Sequence, residues 1–67
     1  MTIKELLETV RITDNLVIIA ADTDKRLFQL LRNYGRITPS MIPEDFHNKE
    51  IKGICGASVK FKIAIFV

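Results

Sequence analysis

Apolar and polar positions near the start of the chain alternate with a helical period. Ile3, Leu6, Leu7 and Val10 recur at i, i+3, i+4 and i+7, while Lys4, Glu5, Glu8 and Thr9 fill the positions between them. Thr2 and Glu5 stand three apart just before this stripe, the spacing of a capping box in which each side chain satisfies an orphan backbone donor of the other. The pattern predicts a helix over residues 2–10. Two to three turns are marginal alone, so the stripe must lie against a sheet.

The period then changes. Leu16-Val17-Ile18-Ile19-Ala20 is a continuous apolar run, rich in β-branched residues and short, which predicts a strand covered on both faces. Asp22-Thr23-Asp24 is turn chemistry. The run from Lys25 to Leu31 admits two readings. As a strand it completes a hairpin with 16–20, with Leu27 and Leu31 on one face and Phe28 and Leu30 on the other. Arg26 then shares the face of Phe28 and Leu30. As a helix it is capped by Asp22 or Asp24, aligns Leu27, Leu30, Leu31 and Tyr34, and stops at Gly35. The run is short and the preceding strand needs a partner, which favours the strand.

Further on, Asn33-Tyr34-Gly35 marks a turn, and Pro43-Glu44-Asp45-Phe46 predicts a single helical turn. Residues 50–55 read as a short strand and Gly56-Ala57-Ser58 as a turn. The last strand alternates plainly: Val59, Phe61, Ile63, Ile65 and Val67 on one face, and Lys60, Lys62, Ala64 and Phe66 on the other. Its end is apolar on both sides, so it is either central in the sheet or covered by another subunit. The expected fold is α+β: a short N-terminal helix packed on a mostly antiparallel sheet of about four strands, forming a single small domain over 1–67.

Composition sharpens this picture. A chain of 67 residues buries only about 60% of its unfolded surface, so domains of this size draw on disulfides, metals or self-association. One cysteine rules out an internal disulfide, and one histidine beside it makes a structural zinc site a poor fit. Self-association remains, and the doubly apolar segment places it at Ala64, Phe66 and Val67. No cofactor or metal is expected, and so small a scaffold argues against an enzyme. There is no apolar stretch long enough for a membrane span and no signal-peptide core, and the lone cysteine suits a reducing compartment, so a cytoplasmic setting is expected.

The net charge of +2 is mild, but its distribution is uneven. Residues 25–36 carry Lys25, Arg26, Arg32 and Arg36 with no acid. Arg26, Arg32, Tyr34 and Arg36 are the candidate binding residues, either for a small phosphorylated ligand or, as a second reading, for nucleic acid with aromatic stacking. His47 and Cys55 lack a partner at catalytic spacing. His47 reads as a surface loop residue and Cys55 as a small buried hydrophobe. Gly53-Ile54-Cys55-Gly56 lacks the Lys-Ser/Thr of a phosphate loop. Glu44-Asp45 and Asp22/Asp24 fall short of a calcium loop's ligand count.

The layout of a capped Ile-Lys-Glu-Leu-Leu helix, a strand, an Asp-rich turn, a second strand ending in a Leu-Phe pair, a loop with a short helical turn, a charged-apolar Glu50-Ile51-Lys52-Gly53-Ile54 strand and a final alternating strand resembles small proteins encoded by phages and prophages of low-GC Gram-positive bacteria. The resemblance implies a host-interaction or counter-defence role exerted by binding, in the host cell cytoplasm, on a host protein or a small nucleotide. The sequence therefore predicts a non-enzymatic, self-associating binding protein.

Overall fold

The computed structural model describes residues 1–13, 15–31, 35–56 and 63–67. Helix α1 (Ile3–Thr9) is followed by β1 (Leu16–Ile19), β2 (Arg26–Leu30), two 3-10 turns (Pro39–Met41 and Glu44–Phe46), β3 (Gly53–Gly56) and β4 (Ile63–Phe66). The strands form one sheet in the order β2-β1-β4-β3. β1–β2 and β3–β4 are antiparallel; the two central strands, β1 and β4, run parallel. This is the expected α+β arrangement.

The start of α1 is closed by residues near and far. Thr2 Oγ1 accepts the Glu5 N–H at 3.2 Å and Glu5 Oε1 accepts the Thr2 N–H at 3.0 Å, completing the capping box. The remaining free donors, Ile3 N–H and Lys4 N–H, reach the carbonyls of Lys49 (3.2 Å) and His47 (3.1 Å). Every orphan N–H of the first turn thus has a protein acceptor. Ile3, Leu6 and Leu7 are buried, as the periodicity predicts. Val10 is not part of the stripe. It takes extended angles (φ −112°, ψ 134°) after the last helical residue, and its side chain is 46% exposed.

β2 is a strand, which settles the open reading of this run. Phe28 and Leu30 pack on the core while Leu27 and Leu31 point outward. The hairpin closes through Ala20 N–H to Lys25 O and Asp24 N–H to Ala20 O, both 2.8 Å, with Asp24 at φ 56°. Aspartate is among the few non-glycine residues that adopt this left-handed conformation readily. One detail departs from simple alternation. The register passes from Ile18↔Phe28 to Ile19↔Arg26, so β2 carries an extra residue and Arg26 opposes Ile19. The bulge removes Arg26 from the face it was expected to share with Phe28 and Leu30.

β4 lies between β1 and β3, which accounts for its doubly apolar end. Both its edges are hydrogen-bonded, so no further strand can pair with it. Ile63, Ile65 and Val67 lie on the helix side and Ala64 and Phe66 on the other, as alternation predicts. Residues 57–62, which include the expected turn and the start of the final strand, lie outside the described residues. The strand expected over 50–55 is shorter and later. Glu50 bridges to Thr2, and Ile51 N–H donates to Met1 O at 2.8 Å, so the chain meets the N-terminal segment before it joins the sheet.

The core is one-sided. Ile3, Leu6 and Leu7 of α1 meet Leu16 and Ile18 of β1, Ile65 of β4, and Ile12, Ile37 and Ile42 from the connecting segments. Phe46 and Phe28 seal one border with ring centroids 6.0 Å apart. A second, smaller cluster on the opposite face comprises Val17, Ala64, Ile19 and Phe66, all from the two central strands.

Candidate functional site

Of the four residues expected to bind a ligand, Arg32 and Tyr34 lie outside the described residues. The other two stand apart. Arg26 opens β2 beside Ile19 at the end of β1, whereas Arg36 bridges Thr13, upstream of β1. They therefore flank opposite ends of the β1–β2 ladder. Arg36 is also engaged: its Nη2 donates to the carbonyls of Leu7 (3.1 Å) and Glu8 (3.2 Å). Those carbonyls belong to the C-terminal turn of α1, where a cation meets both unpaired acceptors and the negative end of the helix dipole. Its guanidinium closes a helix.

The expected association residues divide by face. Ala64 and Phe66 belong to the second cluster, with Val17 3% and Ala64 8% exposed and Ile19 and Phe66 half-buried. Val67 packs on the helix-side core instead. Among the described residues, every element outside the sheet packs on the first face, so the second face consists of strand residues alone. By register it runs from Gln29 beside Val17, through Val17 and Ala64, to Cys55 beside Ala64, with Gly53 beside Phe66.

Two expectations about lone reactive residues are corrected. His47 is a half-buried clasp, with Nε2 at 2.7 Å from Pro39 O and 3.0 Å from Ile42 O, joining the first 3-10 turn to the end of the second. Cys55 is exposed, because the strand that carries it is at the sheet edge, and its thiol donates to the adjacent Gly56 carbonyl at 3.3 Å. Gly53–Gly56 is a strand.

Among the described residues, the displaced titrations belong to the closure around α1. The Thr2 N–H, then its hydroxyl, hold the Glu5 carboxyl below its usual range. The Glu50 carboxylate, 2.9 Å from the Met1 amine, raises that amine. Among the described residues no three His, Cys, Asp or Glu side chains group as metal ligands, and no helix is long and apolar enough to cross a membrane. Sequence reasoning missed the Arg36 cap and the His47 clasp, since neither has a local signature. Comparison with protein-family models, with curated proteins and with solved structures gives no match.

Proposed function

We propose that this chain is a non-enzymatic, self-associating binding module whose working surface is the second face of its sheet. One observation carries the reading: the apolar cluster of Val17, Ile19, Ala64 and Phe66 lies on the face away from α1 and both 3-10 turns. The partly exposed side chains of Ile19 and Phe66, at the ends of the two central strands, are better hidden by a partner than left in water. The partner class is a host protein, which suits an apolar face better than a phosphorylated ligand does, given that Arg36 caps a helix. The resemblance to phage and prophage proteins would set this binding in a bacterial cytoplasm, as counter-defence.

The test is native mass spectrometry of the protein purified from its host, reporting assembly mass and any co-purifying molecule together. Phe66→Glu should keep the parent's circular dichroism and lose the bound partner. A folded variant that retains the partner unchanged would remove the second face from the reading.

A further inference from the structure

The two edges of the sheet are unlike. β2 is guarded by devices that discourage strand addition: a bulge at the Ile18/Ile19 step and the charge of Arg26. β3 has neither. Its ladder with β4 runs without a shift, its four residues are Gly, Ile, Cys and Gly, and Ile54 is 49% exposed.

Hydrogen bonds around β4 fix which backbone groups of β3 face outward. Ile63 N–H donates to Asn15 O, Val67 N–H to Ile19 O, and Val67 O accepts from Ala21. The main-chain groups of 63 and 67 therefore face β1, and by alternation those of Ala64 and Phe66 face β3. The Phe66 carbonyl does face β3, accepting Lys52 N–H at 2.7 Å just before the first ladder residue, Gly53. The register partners of Ala64 and Phe66 are Cys55 and Gly53. Those two close the ladder, and the N–H and C=O of Ile54 and Gly56 point away from the sheet.

We infer that two copies of this chain join edge to edge through β3, antiparallel about a two-fold axis at Cys55, with Ile54 of each facing Gly56 of the other. An antiparallel pair that preserves the faces of the sheet must be centred on a residue. Centring on Cys55 matches Ile54 with the partner's Gly56 in both directions, which uses all four outward groups of each strand. Side chains agree with this register. Ile54 lies on the helix side opposite a glycine around which a Cβ meets nothing within 4 Å, so its exposed side chain has room to pack. No charged residue of either β3 meets another across the axis. The second faces of the two copies become continuous through Cys55 and Gly53, doubling the surface proposed above. The inference rests on the self-association part of that proposal.

Geometry supplies a direct readout. Cys55 faces its own mate as a non-hydrogen-bonded pair, with Cα atoms about 4.5 Å apart, inside the range of about 4.4–6.8 Å that a disulfide spans. Residue 54 stands diagonal to its mate at about 7–8 Å. Diamide, which takes two electrons and two protons from a thiol pair, should convert the parent to a covalent dimer on a non-reducing gel. Ile54→Cys in a Cys55→Ser background should cross-link at least tenfold more slowly. Sedimentation of the full chain should give twice 7.6 kDa, and Ile54→Lys should be a folded monomer. If that variant unfolds, the cross-linking contrast decides. A monomeric parent, a dimer that ignores both Ile54→Lys and diamide, or a different protein seated on β3 would each overturn the inference. Phe66→Glu separates the two proposals, since it should remain a cross-linkable dimer while losing its partner. A parent that is monomeric yet carries a partner defeats the edge pairing and leaves the binding reading standing.

Discussion

The guanidinium of Arg36 donates to the carbonyl of Leu7 across 29 residues of sequence, at 3.1 Å. With the companion contact to Glu8 it occupies acceptors that α1 leaves free. Arg36→Ala should therefore lower stability by about 1 kcal/mol, a fall in Tm of roughly 4–8 °C for a domain this small. A phosphate-binding arginine would behave otherwise, reducing the salt slope of nucleic-acid binding by about one. We expect weak duplex binding lost by physiological salt, with a slope that Arg36→Ala leaves alone. An unchanged Tm with a reduced slope would restore Arg36 to a binding site.

The helix stripe gives a sharper contrast. Leu7 is fully buried, whereas Val10, three residues on, is 46% exposed. Leu7→Ala should cost about 2–5 kcal/mol and leave little of a marginal domain folded. Val10→Ala should cost under about 0.5 kcal/mol. Equal effects in urea titrations would mean that the helix continues past Thr9.

What could be read in advance follows the range of the interaction. The capping box and the Ile3-Leu6-Leu7 stripe are local, so spacing alone reveals them. Alternation likewise separates Ile63 and Ile65 from Ala64 and Phe66. Residues 26–30 admit both helix and strand patterns, with the strand favoured by the run's shortness, and pairing with β1 decides between them. The parallel β1–β4 pair joins segments more than forty residues apart, so nothing near Leu16 announces Ile63. The basic segment reads as a site because its charges are close in sequence, and closeness along the chain is not closeness in space. The β1–β2 ladder sets Arg26 and Arg36 at opposite ends, and a helix carbonyl claims one of them. Cys55 is exposed because its strand is an edge, a fact of sheet order that composition does not carry.

The N-terminal closure should titrate at both limbs of the pH profile. Glu5 is held below its usual range, so its contribution is present above the unfolded value of about 4.3 and is lost as pH falls through the lower folded value. The Met1 amine is raised, so its contribution is present below its ordinary value and is lost as pH rises through the folded one. Glu5→Gln keeps an acceptor for Thr2 N–H and should flatten the acid limb; Glu50→Gln removes the largest cause of the raised Met1 amine and should flatten the alkaline limb more than Glu5→Gln does. Urea midpoints measured across pH check both, and an acid limb as steep in Glu5→Gln as in the parent would show that other carboxylates govern it.

His47 ties together segments that have no regular ladder between them. Pro39 O and Ile42 O can only accept, so the ring must carry a hydrogen on Nε2 and share it between them at 2.7 and 3.0 Å. The carbonyl of the same residue receives Lys4 N–H at the start of α1, so one position holds the 3-10 segment and the helix at once. His47→Ala strips the shared donor from two carbonyls, one of them on buried Ile42, and should cost about 1–3 kcal/mol. Long-range proton–nitrogen NMR should show Nε2 protonated in the folded protein. The variant's hydrogen exchange should quicken first at Ile42 and Lys4, whose N–H groups donate within this unit. A variant that melts with the parent and exchanges those amides at parental rates would show that the clasp contributes nothing to holding the turns.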